Sequence, residues 1–86
     1  MRVIAYDGSI DIAYENAVFY TKYINREWCV CAKFIGNVDE FELGRYGNNR
    51  EYCVRLINNL HHYYLAGDKV FVFPDRVMTI PKFSEY

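Results

Sequence analysis

Three closely spaced turn signals constrain this chain most, because they divide its first half into short strands that must pair antiparallel. Each signal has two residues and separates two strand-forming stretches: Asp7-Gly8 between 2–6 and 9–13, Asn25-Arg26 between 17–24 and 27–35, and Gly36-Asn37 between 27–35 and 38–45. Asp, Asn and Gly favour such turns because they tolerate positive φ, whereas Arg does not. The sequence therefore predicts a hairpin followed by a three-strand meander.

The apolar residues of the meander predict its register. With two-residue turns, the facing pairs on one sheet face are Tyr23–Trp28, Thr21–Val30, Phe19–Ala32, Ala32–Phe41 and Val30–Leu43, and Lys33 faces Glu40 on the other. The second turn would be of type II′, with Gly36 at its first position. A shift of one residue would exchange the apolar and charged faces, so we expect this register.

The second half of the chain has the spacing of one amphipathic helix over 48–66. Its apolar residues recur at intervals of three and four: Tyr52, Cys53, Leu56, Ile57, Leu60 and Tyr64. Gly47, Asn48 or Asn49 can cap its start, and Gly67 suits the left-handed position after its end. The solvent side carries Arg50, Glu51, Arg55 and Asn58 or Asn59. We expect Leu56 at the centre of the helix–sheet contact, followed by a strand over 69–73 that ends at Pro74.

Together these elements predict an α+β fold. An antiparallel sheet, made of the hairpin and the meander, carries one amphipathic helix on one face, and a short final strand follows. The chain has 86 residues, which corresponds to one domain. We assign that domain to 1–74 and a C-terminal tail to 75–86.

Composition argues against several classes of function. The net charge is −1, so the chain lacks the basic field that non-specific binding of nucleic acid needs. No run approaches the ~20 apolar residues of a membrane-spanning helix, and Met1-Arg2 leads into a strand without a signal peptide. Three cysteines are an odd number for a disulfide scaffold, which favours a reducing cytoplasm.

The candidate chemical groups do not form a recognisable catalytic or metal-binding motif. Cys29 and Cys31 alternate on a strand with one residue between them, whereas zinc-binding pairs usually have two to four residues between them on tight turns; we expect both to be small apolar fillers. Cys53 falls on the apolar stripe of the helix, His61 at its edge and His62 on the solvent side. No phosphate-binding glycine motif occurs. The sequence therefore predicts no catalytic residue, no metal and no cofactor.

Two segments carry a combination of signals that can be compared with known families. The first has Asp7-Gly8, the strand Ile10-Asp11-Ile12 and the pair Tyr14-Glu15; the second has Gly44 and Tyr46, the helical stripe through Leu56, Leu60 and Tyr64, and the ending VFVFP. This combination resembles a family of small accessory proteins of phages and prophages of Gram-positive bacteria. Ala13 stands where many members have Pro, and the tail from Asp75 has no counterpart. The resemblance implies a small protein acting in the cytoplasm of a bacterial host, and it transfers no binding residue.

Two functions follow as expectations. The first is non-catalytic binding of a host protein, for example inhibition of an antiviral defence nuclease in the manner of an anti-CRISPR protein. The nine tyrosines favour this function because Tyr is enriched at interfaces, and the expected contact residues are Tyr20, Glu40, Glu42 and Tyr46. The alternative is an oligomeric protein that sequesters a nucleotide signal, with Arg45, Arg50 or Arg55 binding its phosphate.

Self-association is the remaining expectation. The outer face of the predicted meander carries apolar residues among its charges, namely Val18, Tyr20, Ile24, Cys29 and Cys31. A two-fold dimer would bury them. Alternatively, the apolar tail residues Val77, Met78, Ile80 and Phe83 could cover that face within one chain.

Overall fold

The computed structural model describes residues 1–77, which form an α+β fold. Its elements follow the predicted order: β1 (Arg2–Ile4), β2 (Asp11–Ala13), a single 3₁₀ turn (Tyr14–Asn16), β3 (Ala17–Ile24), β4 (Glu27–Phe34), β5 (Glu40–Arg45), α1 (Arg50–Leu65) and β6 (Val70–Val72). The strands form two three-stranded sheets. Sheet A has the order β2-β1-β6, and sheet B has the order β3-β4-β5.

Sheet A contains the predicted hairpin, but it is a mixed sheet. β1 and β2 pair antiparallel, with Val3 opposite Ile12, whereas β6 pairs parallel to β1, with Val3 opposite Phe71. The register of the hairpin is symmetric about Asp7 and Gly8, as predicted. The connecting loop is longer than the predicted two residues, since β1 ends at Ile4 and β2 begins at Asp11.

Sheet B confirms the predicted pairing of β3 with β4. Tyr23 lies opposite Trp28, and the register continues without interruption from Ile24↔Glu27 to Ala17↔Phe34. Asn25 and Arg26 both have positive φ, at 49° and 66°, as a two-residue turn of type I′ requires. The hydrogen bonds of this long hairpin therefore hold Arg26 in a conformation that Arg does not favour.

The pairing of β4 with β5 differs from the prediction at two points. The turn is centred on Ile35 and Gly36, because the amide of Asn37 bonds the carbonyl of Phe34 (3.0 Å); Gly36, with φ 81°, is thus its second central residue, not its first. Ala32↔Phe41 is confirmed, but Val30 lies opposite Gly44 because the register shifts between Val30 and Cys31.

The register shift leaves Leu43 as an extra residue in β5, and this residue joins the two sheets. Its carbonyl oxygen accepts a hydrogen bond from the amide of Tyr6 (2.9 Å), in the connection that follows β1. A β-bulge bends a strand and frees a backbone group from its ladder. Here the carbonyl of Leu43 bonds the connection between β1 and β2 of sheet A. Val30 therefore faces Gly44 instead of the predicted Leu43.

Helix α1 begins and ends where the sequence signals indicated. The side chain of Asn49 accepts a hydrogen bond from the amide of Tyr52 (3.0 Å), which is N-cap geometry. At the other end Gly67 has φ 84°. The amides of Gly67 and Asp68 bond the carbonyls of Tyr64 (3.0 Å) and Tyr63 (3.1 Å), which is a Schellman motif.

The hydrophobic core lies between the helix and the inner faces of both sheets. Buried residues of sheet A, sheet B and α1 form one cluster, which includes Val3, Phe71, Val30, Leu43, Leu56 and Leu60. The predicted position of Leu56 is confirmed, since the residue is buried in this cluster. Asn58 or Asn59 was expected on the solvent side; Asn58 is exposed, whereas Asn59 is buried. Of the tail, Val77 is half exposed, and the expectations for Met78, Ile80 and Phe83 lie outside the described residues.

Candidate functional site

The outer face of sheet B, which points away from α1, carries most of the residues expected to contact a partner. Side chains alternate along a strand, so this face consists of Val18, Tyr20, Lys22 and Ile24 of β3, Glu27, Cys29, Cys31 and Lys33 of β4, and Glu40, Glu42 and Arg45 of β5. Its charged side chains are three basic and three acidic. The face is therefore neutral overall but strongly polar.

Glu40 is the centre of one cluster on this face. Its carboxylate accepts hydrogen bonds from the hydroxyl of Tyr20 and from Lys22 Nζ, the latter at 2.5 Å. Both donors come from β3, so the contacts cross over β4. The hydrogen bond from Lys22, followed by that from Tyr20, lowers the pKa of Glu40, while burial and Glu40 raise the pKa of Tyr20. Lys33 Nζ lies 5.6 Å from the centre of the Tyr20 ring.

Glu42 belongs to a second cluster, organised by Arg45. Two guanidinium nitrogens of Arg45 bond the two carboxylate oxygens of Glu42, at 2.6 and 2.9 Å. A third bonds Glu27 at 3.2 Å. The hydrogen bond to Glu42 is the largest cause of the raised pKa of Arg45. Because its guanidinium group is already bound to two carboxylates, Arg45 is not available to a phosphate without breaking these contacts.

Cys29 and Cys31 lie beneath these two clusters and are buried. Burial raises the pKa of the Cys31 thiol to about 12 and raises that of Cys29, with Glu42 adding to the effect. The expectation that both are small buried fillers is confirmed. Because both side chains are buried, they add no exposed apolar area to the outer face.

Tyr46 cannot contribute the contact surface expected of it. Its ring is buried against Tyr52, with the ring centres 5.1 Å apart, and its hydroxyl bonds the carbonyl of Pro74 at 2.8 Å. The ring reaches this position because Gly44 leaves room for it. Gly44 presents no side chain on the strand just before, and the Tyr46 hydroxyl occupies the space where a Cβ would be.

The three arginines of the alternative function do not converge. Arg45 lies on the outer face of sheet B. Arg50 stands at the start of α1, with its guanidinium carbon 5.5 Å from the centre of the Trp28 ring, and Trp28 points to the opposite face of the sheet from Arg45. Arg55 is exposed on the helix. No common phosphate site is formed by these three side chains.

An aromatic cleft that was not predicted lies between the 3₁₀ turn, the start of β3 and the end of α1. Its volume is about 530 Å³, and its lining residues are Tyr14, Glu15, Ala17, Val18, Phe19, His61 and Tyr64. The Tyr14 ring is stacked between Phe19 and Tyr64, with centres 5.6 and 4.1 Å apart. No predicted pattern linked residues 14–19 with His61 or Tyr64, so the proximity of the two segments had no sequence signal.

His61 supplies a polar group in the aromatic cleft. Its Nδ1 lies 2.5 Å from the hydroxyl of Tyr14. Burial lowers the pKa of His61, and the neighbouring His62 lowers it further. The neutral ring is therefore favoured at neutral pH, and when Tyr14 donates to Nδ1 the proton of the imidazole resides on Nε2. The cleft thus offers stacked rings and one neutral hydrogen-bond donor.

The loop between β4 and β5 carries the most exposed apolar side chains near the outer face. Ile35 is 69% and Val38 92% exposed. The loop joins the end of β4 to the start of β5, next to the row formed by Val18, Lys33 and Glu40. Ile35 and Val38 thus add apolar surface at the end of the polar face that carries Glu40.

Among residues 1–77, no group of three or more His, Cys, Asp or Glu side chains is placed to hold a metal ion. No helix in the same range has the length and hydrophobicity needed to cross a membrane. Comparison of the chain with protein-family models, with curated proteins and with solved structures finds no match.

Proposed function

We propose that this protein is a non-catalytic binding module that acts by covering a surface of another protein. The proposal is carried by one observation, the exposed apolar pair Ile35 and Val38 beside the Tyr20–Glu40–Lys22 cluster. We name this region the contact surface and define it as Val18, Tyr20, Lys22, Ile35, Val38 and Glu40.

The composition of the contact surface suits a protein partner. Protein interfaces combine an apolar or aromatic centre with a polar rim, and a few central residues supply most of the binding energy. Ile35 and Val38 lose the most water on binding, since they are the most exposed. Tyr20 is held by Glu40, which reduces the conformational entropy that it loses on binding.

The resemblance to phage accessory proteins suggests the class of partner. We propose a protein of the bacterial host, such as a component of an antiviral defence nuclease, bound in the host cytoplasm. The face is electrically neutral, so direct mimicry of nucleic-acid phosphates is not the mode that we propose. Occlusion through apolar contacts needs neither a catalytic group nor a cofactor.

Affinity capture from phage-infected host lysate tests this function. The bait is the intact chain, and the test variant carries Ile35→Asp and Val38→Asp. The control is Leu65→Asp, because Leu65 is 80% exposed at the far end of α1. We expect a stoichiometric host protein with the parent and the control that is lost with the test variant. Equal capture by all three proteins would exclude the contact surface.

The aromatic cleft supports a second candidate, the binding of a small planar ligand. Base–aromatic stacking contributes about 1–3 kcal/mol per base, and the cleft that Tyr64 and His61 line provides a site for it. A thermal-shift screen against cyclic nucleotides and NAD-derived signals tests this function, since a ligand bound only by the folded state raises the Tm. A shift that His61→Ala abolishes would support the cleft, and an unchanged Tm with every ligand would exclude this candidate.

A further inference from the structure

The outer edge of β6 has backbone hydrogen-bonding groups that point away from its own sheet. The amide of Arg2 bonds the carbonyl of Lys69 (2.9 Å), and the amide of Phe73 bonds the carbonyl of Ile4 (3.0 Å). In a parallel ladder, alternate residues direct both backbone groups to the same side. Residues 69, 71 and 73 therefore bond β1, and the N–H and C=O groups of Val70 and Val72 point outwards.

The same two residues expose apolar side chains. Val70 is 44% and Val72 56% exposed, and the sheet order within residues 1–77 makes β6 an edge strand. Proteins usually protect such edges with charges, prolines or bulges inside the strand. In β6 the lysine and the proline flank the strand instead, at Lys69 and Pro74. The strand itself is a ready template for a further strand.

We propose that this edge pairs with the β6 edge of a second copy of the chain, antiparallel and about a two-fold axis. The pairing would place Val70 of each copy opposite Val72 of the other. Both residues direct N–H and C=O outwards, so the register forms two hydrogen-bonded pairs with four hydrogen bonds. The two sheets A would then form one continuous six-stranded sheet.

Charge favours this antiparallel arrangement over a parallel one. Asp68 and Lys69 precede the strand, and Asp75 and Arg76 follow it. In the antiparallel register Asp68 faces Pro74 and Lys69 faces Phe73 of the other copy. No charged residue therefore lies directly opposite a like charge. A parallel arrangement would place each charge beside its own copy, and like charges opposite each other destabilise a sheet.

Mass measurement by light scattering over a dilution series from millimolar to micromolar protein is the first test. We expect the mass to double from 10.2 kDa at high concentration. The double variant Val70→Lys, Val72→Lys should remain monomeric, because it brings four ammonium groups together across the axis. The control Ile35→Lys, Val38→Lys should dimerise like the parent, which also separates this edge from the contact surface. A monomeric parent, or a dimer unaffected by the Val70 and Val72 changes, would overturn the proposal.

Amide hydrogen exchange resolved by residue decides the case even if the lysine variant fails to fold. In the parent, the Phe71 amide bonds β1 and should be protected at every concentration. The Val70 and Val72 amides should become protected only as the dimer forms. If both are protected in the dilute monomer, the edge is covered within one chain, and pairing with a second copy is ruled out.

Discussion

The hydroxyl of Tyr46 donates a hydrogen bond to the carbonyl oxygen of Pro74, 2.8 Å away. Tyr46 directly follows β5 and Pro74 lies two residues after β6, so the bond connects the ends of two strands. The ring reaches this position because Gly44 leaves the space open: a Cβ at Gly44 would lie 2.1 Å from the Tyr46 oxygen. Burial raises the pKa of Tyr46, so the hydroxyl remains a donor over the whole range in which the protein is handled. This hydrogen bond thus connects the end of sheet B to the chain that follows β6.

Tyr46→Phe should destabilise the protein by about 1–3 kcal/mol, because it leaves the Pro74 carbonyl without its donor while keeping the ring. Denaturant unfolding measures the change. Tyr23→Phe is the matched control, since Tyr23 is exposed and its change should cost less than about 0.5 kcal/mol. Equal stability of the two variants would show that the hydrogen bond contributes nothing.

Leu56→Ala should cost about 2–5 kcal/mol, because Leu56 is buried between α1 and the sheets. That is a large share of the stability of a domain of this size. Leu65→Ala removes the same atoms from an exposed position on the same helix and should change the free energy of unfolding by no more than about 0.5 kcal/mol. Thermal and denaturant unfolding of the pair provide the comparison. A Leu56→Ala protein as stable as the Leu65→Ala protein would contradict the assigned core.

Asn59→Leu should leave the stability unchanged or increase it. Asn59 is buried on α1, and within residues 1–77 its Oδ1 has no hydrogen-bond partner. Burying an unpaired acceptor costs about 1–3 kcal/mol, and an apolar side chain with the same branching avoids that cost. Chemical denaturation of the variant measures the difference. A loss greater than about 1 kcal/mol would mean that the amide has a partner or that the site has no room for Leu.

Acidification should destabilise the protein through His61. Burial holds the pKa of folded His61 below its ordinary value of 6.5. As the pH falls below 6.5, the unfolded chain therefore binds a proton before the folded protein does, and stability is lost until folded His61 is also protonated. The groups that face it in the cleft are Tyr14, Glu15 and Tyr64.

The measurement for His61 has two parts. NMR titration of the His61 ring should give a midpoint below 6.5, and His61→Gln should reduce the loss of unfolding free energy between neutral and mildly acidic pH. A midpoint at or above 6.5 would contradict the effect of burial. An unchanged pH dependence in the variant would assign the acid sensitivity to other groups.

Local signals in the sequence predicted the parts of the fold that depend on local geometry. The Asn25-Arg26 turn, the register from Tyr23↔Trp28 onwards and both ends of α1 follow from turn chemistry, alternation and caps. The bulge at Leu43 could not be predicted, because it depends on the amide of Tyr6, which is distant in sequence. The parallel pairing of β6 with β1 is likewise a contact between the two ends of the described chain.

The candidate sites show the same division. Tyr20, Glu40 and Glu42 were expected on one surface, and the alternation of the strands does place them there. Tyr46 was expected on the same surface because it follows β5, but its side chain is buried. The space over Gly44 and the carbonyl of Pro74, which hold its hydroxyl, come together only in the folded chain. The aromatic cleft joins residues 14–19 with 61–64, and no spacing within either segment indicates the other.

The burial of Cys29 and Cys31 in sheet B has a practical consequence. A thiol reacts with alkylating reagents as the thiolate, and both cysteines are buried with a raised pKa. Cys53, on the helix side of the core, is buried as well, and burial raises its pKa to about 11. All three thiols therefore become reactive only when the structure around them opens, so the rate at which each is labelled reports how often sheet B or α1 separates from the rest.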